Sequence, residues 1–247
     1  MPELPEERSD GGSYIFRYKE RTIPFQPTAG DGEHIERISD HIEKHIGPIH
    51  MVFHEIVSDL VHIDVHWVRP NNQRPYHTLI TSGMSEAPMS MPTGEGDAVV
   101  PAYAELCICL PSLWPLTQED FKDERNYWPI RWLKTMARLP HEYDTWLWYG
   151  HTVPNGDPAE PVSKDSKFIG FVVLSPVSAP QEFTELKIDE DKSIYFFAIY
   201  PLFREEMDLK LCEGTDALID KLAEHEVTEV VDVKRKNTCR KKRWGLF

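Results

Sequence analysis

The sequence predicts an α+β protein with a mixed, largely antiparallel β-sheet flanked by helices. Three observations carry that prediction. Strand-like runs follow one another with helices interspersed, not in regular βαβ alternation. Val61–Val68 alternates strictly, with Val61, Ile63, Val65 and Trp67 to one side and His62, Asp64 and His66 to the other. Trp128–Leu139 carries two adjacent apolar stripes, Ile130, Leu133 and Ala137 beside Trp132, Met136 and Leu139, so this helix is buried over a wide arc.

Each element follows from local chemistry. Residues 1–30 mix proline, glycine and charge without a period and read as a flexible N-terminal arm, with Tyr14–Tyr18 a candidate edge strand. Residues 31–236 form the domain. Asp31–Gly47 is a helix that buries Ile35, Ile38, Ile42 and either Ile46 or Ile49, and ends at Gly47-Pro48. Strands follow at Met51–Val57, Val61–Val68 and Tyr76–Ser82, the last running through the Gly83 turn into the Met-rich segment Met84–Met91. Thr93–Asp97 is an acidic loop, and Ala102–Leu110 a strand closed by Pro111. Pro129 suits the first turn of the central helix, and Pro140 stops it. Trp146–Tyr149 has strand character and leads into the polar loop Gly150–Pro158. Phe168–Leu174 and Ser193–Tyr200 are apolar strands, with a shorter one at Phe183–Ile188. Glu205–His225 is a helix broken at Gly214, with Thr215 capping the second piece. Val227–Val233 is a last strand, and 237–247 a basic tail carrying Arg240-Lys241-Lys242-Arg243.

Composition narrows the function. A net charge of −14 over 247 residues argues against nucleic-acid binding, which needs a positive surface to displace counterions. It favours basic partners, whose approach it speeds at low salt. No apolar run approaches the ~20 residues that span a bilayer, so no membrane partner is expected. The opening MPELPEERSDGGS lacks the basic and apolar regions of a signal peptide, which points to the cytoplasm. Four cysteines without a CxxC pair point to reduced thiols, not a zinc ribbon.

Catalytic chemistry finds little support. His62, Asp64 and His66 invite a metal, but on a straight strand the two histidines are ~13 Å apart. Only His62 with Asp64, helped from elsewhere, could share an ion, so no metal site is assigned and these two stand as candidates. His41 and His45 have the i, i+4 spacing of a zincin helix without its glutamate, and read with His34 as a half-exposed row. Thr81-Ser82-Gly83-Met84-Ser85 is not a GxSxG elbow. There is no Walker A or Rossmann glycine pattern, and Thr93–Asp97 places acid where a phosphate would sit. No catalytic residue or cofactor is therefore expected. The alternative is a metal-dependent or serine-type hydrolase using His62, Asp64 and a histidine from Glu142–Asp157. The tryptophans read as core. The loops Gly83–Asp97, Glu142–Asp157 and Arg69–Arg74 offer a surface of Met84, Met89, Met91, Asp97 and Glu142 suited to basic and apolar groups.

Several blocks in one order resemble the Suppressor of fused (SUFU) domain family, in its bacterial branch. They are His77–Ser85, Ala104-Glu105-Leu106 with Leu110-Pro111, Trp128-Pro129 through Gly150–Asp157, Phe196–Leu202 and Gly214–Leu218. The resemblance implies a mixed sheet flanked by helices and a non-enzymatic, protein-binding role. Animal members grip a short peptide as an added strand between two domains, whereas bacterial relatives are thought to act as immunity proteins that neutralise toxins, often nucleases. Asp97 lies where the animal family places a peptide-gripping aspartate. The family tyrosine after the Gly-x-Ser turn is replaced near Ala87 or Pro88, and the second half of the animal protein has no counterpart here. The expected partner-facing residues are Asp97, Glu105, Asp144, His151 and Asp157, and the expected partner is a basic toxin domain. A regulator that captures a peptide by strand addition is the other alternative.

Overall fold

Alternation along the strands decides the layering, because successive side chains leave opposite faces of a sheet. The computed structural model describes residues 5–18, 21, 24–28, 30, 32–92 and 102–240. Its elements are α1 (Gly32–His45), β1 (Ile49–Phe53), β2 (Asp64–Val68), β3 (Tyr76–Ser82), β4 (Ala104–Pro111), α2 (Glu124–Glu142), β5 (Thr152–Pro154), β6 (Gly170–Leu174), β7 (Glu185–Lys187), β8 (Ser193–Leu202), α3 (Arg204–Glu213) and α4 (Thr215–Glu224).

The eight strands form one sheet of order β1-β2-β3-β4-β8-β6-β5, with β7 on the first residues of β8. Among the described residues, β4–β8 is the one strand pairing that is parallel. The mixed, largely antiparallel α+β architecture expected from sequence is therefore the one observed.

Both faces are covered. Val65, Trp67, Leu79, Leu106, Ile108, Phe171, Val173, Phe197 and Ile199 pack with Trp128, Trp132, Leu133 and Met136 of α2. The alternate residues Ile80, Cys107, Val172, Phe196, Ala198 and Tyr200 pack with Ile38 and Ile42 of α1, Met207 of α3, and Leu218 and Leu222 of α4. The central strands are accordingly apolar at consecutive positions, as in any sheet buried on two sides. Trp128 and Trp132 are core residues, as expected.

Several elements differ from expectation. Strands β1 and β2 are shorter than Met51–Val57 and Val61–Val68, because Ser58–Leu60 pairs with Gln26–Thr28 and not with a sheet neighbour. Tyr14–Tyr18 forms no strand and reduces to an isolated antiparallel bridge of Tyr14 with Arg8, where Ile15 N–H bonds back to Glu7 O. Helix α2 begins at Glu124, capped by Asp123, so Pro129 lies inside it, and it runs two residues past Pro140. The Pro140 carbonyl closes the end by accepting from Thr145 N–H.

Trp146–Tyr149 is not a strand. Its backbone is met irregularly, Leu147 N–H by the Met89 sulfur and Trp148 N–H by His151. Gly214 occupies the cap of α4, and Thr215, its first residue, makes no capping bond. Val227–Val233 reduces to a single parallel bridge at Val230, held by two bonds around Cys109. His41 is buried between Phe183 and Phe196, not half-exposed.

Candidate partner-binding surface

Two of the three loops singled out by composition, Gly83–Asp97 and Glu142–Asp157, meet. Ser90 N–H donates to Thr145 O at 3.0 Å, and the Ser90 hydroxyl donates to Asp144. Asp144 is exposed at φ 49°, a left-handed turn position that aspartate tolerates better than most residues. The methionines expected on that surface are largely inside, however. Met84 and Met89 are core residues, and Met91 is half-buried.

Beneath these loops lies Glu105, the second residue of β4, with no solvent exposure. Its Oε1 accepts from Gly83 N–H (2.9 Å), Ser85 N–H (3.0 Å) and the Ser85 hydroxyl (2.6 Å), and its Oε2 from the Thr81 hydroxyl (2.6 Å). Burial pushes the carboxyl pKa up, and these four donors offset that only in part. Glu105 was expected to face a partner; it instead holds the Thr81–Ser85 turn in place from inside. Gly83 is required there, since at φ 109° a Cβ would sit 1.8 Å from the His62 carbonyl oxygen.

His151, also expected at the surface, is mostly enclosed. Its Nδ1 accepts from Trp148 N–H at 3.3 Å, and its ring meets Trp146 edge-on at 5.4 Å. Burial, aided by the charge of Lys210, lowers its pKa to about 4. It pins the loop as a neutral ring. Asp157 is exposed and ion-paired with Arg17. Asp97 lies outside the described residues.

The N-terminal segment crosses the same region. Phe16 packs edge-on against Trp146 at 5.1 Å, and Tyr18 stacks on Tyr143 at 4.8 Å. The Tyr18 hydroxyl shares a 2.7 Å bond with that of Thr145. The alternation Tyr14, Phe16, Tyr18 was the available signal for this docking, but with no apolar helix beside it in sequence its target could not be named. The surface thus brings Asp144, Asp157, Tyr18 and Tyr149 to solvent and keeps Glu105 and His151 behind it.

Three further sites carry chemistry-bearing groups. Ser82 and His66 bond at 2.9 Å, but both are fully buried, and burial lowers His66 to a pKa of about 4. A concavity of about 800 Å3 lies at the α2 N-terminus, where Arg125 pairs with Asp123 and Asp165. His62 and Asp64 are joined by His54, not by His151.

An eight-stranded mixed sheet with one parallel seam and helices on both faces is an α+β architecture that the Suppressor of fused class shares. Solved structures of that class share the fold. A SUFU homologue from Neisseria gonorrhoeae FA 1090 matches at 19% identity and a TM-score of 0.61, covering 86% of this chain and 100% of that one. The Sufu–Fu complex matches at 14% identity and TM-score 0.55, over 86% and 93% of the two chains. Drosophila Suppressor of Fused matches at 13% and 0.53, over 85% of this chain and 54% of its own. The family model of Suppressor of fused protein (SUFU) matches residues 59–236, well over half of the 247, and the chain belongs to that family. Comparison with curated proteins gives no match. Among the described residues, no helix is long and apolar enough to cross a membrane.

Proposed function

We propose that this protein acts by non-catalytic binding of a basic protein, as an immunity protein that neutralises a nuclease toxin domain by direct contact. The observation that carries this reading is where the negative charge stands. Glu205, Asp208, Glu213, Asp216, Asp220 and Glu224 are all exposed on α3 and α4, where they outnumber the cations that reach solvent on these helices, Arg204 and Lys221, the latter paired with Glu224. Asp144 adds charge on the loop surface, where Asp157 is also exposed but paired with Arg17. A nuclease must hold a polyanion on a basic surface, and an acidic scaffold competes for it.

Charge in this arrangement acts first on the encounter rate. The test is stopped-flow association with basic nuclease toxin domains. Replacing Asp144 by Asn and Asp157 by Lys is expected to slow association about tenfold at low salt and to flatten its salt dependence. Asp208→Lys with Asp220→Lys tests α3 and α4 in the same way. Unchanged on-rates in both pairs would remove the electrostatic basis of the proposal.

A second reading, peptide capture by strand addition, is favoured by β1. Among the described residues this strand pairs on one side only, and Met51 on it is exposed. Recovery of a peptide whose binding is lost on Met51→Pro, with toxin binding absent, would select that reading.

A further inference from the structure

The chain from β1 to β2 gathers three side chains that strand spacing alone would keep apart. Regular pairing stops at Phe53 and resumes at Asp64, and Leu60 takes φ 67° between them. His62 therefore lies outside the strand, free of its 6.6 Å repeat. Its Nε2 comes within 3.0 Å of Asp64 Oδ1, while His54 Nδ1, from the far end of the loop, lies 2.8 Å from Asp64 Oδ2.

We propose that His54 Nδ1, His62 Nε2 and the Asp64 carboxylate form a three-ligand site for a divalent transition cation of the zinc class, with a further coordination position open to solvent. The three donor atoms all lie within 4.8 Å of one another. A tetrahedral ion with bonds near 2 Å wants its ligands about 3.3 Å apart, a small adjustment from the hydrogen-bonded triangle present here. Two imidazoles and one carboxylate suit zinc, cobalt or nickel, and not magnesium or calcium.

The ligands are held from behind. The Ser58 hydroxyl meets His62 Nδ1 at 2.7 Å and so aims Nε2 at Asp64; Glu55 N–H donates to Asp64 Oδ1 at 2.9 Å. Such outer contacts orient metal ligands and set their affinity. On binding, each imidazole proton moves to the other ring nitrogen, which Ser58 accepts for His62 and water for His54. Side-chain exposure grades from 3% at Asp64 through 18% at His62 to 71% at His54, so the site is closed on the sheet side and open on the other. Neighbouring cations are already committed, Arg138 to Glu55 at 2.6 Å and Lys134 to the Phe53 carbonyl. A bound ion would tie the end of β1 to the start of β2 and fix the loop that exposes Ile56 and Val57.

This site does not rest on the toxin-binding reading, and its test uses the protein alone. Tag-free protein, cleared with chelator and titrated with zinc chloride by calorimetry, should take up one equivalent. His54→Ala, at an exposed position that folding does not need, should abolish that saturable uptake, as should Asp64→Asn. Ser58→Ala should weaken it about tenfold. His45→Ala, in the separate pair whose rings lie 4.6 Å from His41, should leave it unchanged. The cobalt(II) form should show visible ligand-field bands that His54→Ala removes. No zinc uptake, uptake that survives His54→Ala, or uptake lost only in His45→Ala would each overturn the site.

Discussion

Two neighbouring loops hang on one buried carboxylate each, and they use it in opposite ways. The Thr81–Ser85 turn surrounds Glu105 with two backbone N–H groups and two hydroxyls, all inside the protein. The 54–64 loop gives Asp64 one backbone N–H and two imidazoles, one of them open to water. The first set of partners is fixed by the fold and cannot be exchanged. The second contains groups that can bind something else without losing the carboxylate. A buried acid is therefore structural or ligand-ready according to what its donors could do if released. The two loops touch, since Gly83 packs against the His62 carbonyl oxygen.

The contrast breaks most sharply at Glu105. Removing its side chain strands Gly83 N–H, Ser85 N–H and the Ser85 hydroxyl in the interior, while the Thr81 hydroxyl keeps the Leu106 carbonyl, and each unpaired buried donor costs roughly 1–3 kcal/mol. Glu105→Ala is expected to lose about 3–5 kcal/mol by urea denaturation, with Glu105→Gln, which keeps one acceptor oxygen, losing less than half of that. Asp64→Asn should cost about 1 kcal/mol, because its imidazole partners can turn to each other or to water. Equal losses at the two acids would erase the distinction.

Imidazoles sharpen the comparison next. His151 is enclosed and His54 is not. A ring whose folded pKa is about 4, against 6.5 when unfolded, is neutral in the native state and takes up a proton more readily once unfolded. Its contribution is fully present above pH 6.5 and is lost as pH falls toward 4, by at most about 3 kcal/mol. Lys210 on α3 is the charged group that deepens the shift. His151→Phe should flatten the stability profile between pH 6.5 and 4 relative to the parent. A parent profile flat over that window, with the protein folded throughout, would show that His151 protonates freely.

How much of this was legible in the sequence follows from the range of the interactions. Strand alternation and the double stripe of α2 are local patterns, so the mixed sheet and its buried helix could be read directly. A lone glutamate inside the run Ala104–Leu110 was visible as well, and Thr81, Ser82, Gly83 and Ser85 are the donors such an acid needs. Pairing them requires knowing that β3 and β4 are neighbours, which no local pattern states. His54 was hidden for a different reason. An extended strand to Val57 would carry it away from Asp64, and that strand ends early because Ser58–Leu60 pairs with Gln26–Thr28, some thirty residues upstream. The acidic balance was readable at once, but its concentration on α3 and α4 depended on which helix faces the core took.

The smallest expected effect separates the two loops most cleanly. His54 is 71% exposed, and its bond to Asp64 competes with water, so in chelator His54→Ala should change unfolding free energy by no more than about 0.5 kcal/mol. In zinc the same substitution should matter far more, because an ion that binds only the folded chain adds RT ln(1 + [L]/Kd), about 2.7 kcal/mol at a hundredfold excess over Kd. Parent protein should therefore gain several degrees in melting temperature on adding zinc, and His54→Ala should gain none. Glu105→Gln, though less stable in chelator, should keep the full zinc increment, since its donors take no part in ligation. A zinc increment that disappears with Glu105 and persists without His54 would place the ligand-ready carboxylate in the wrong loop.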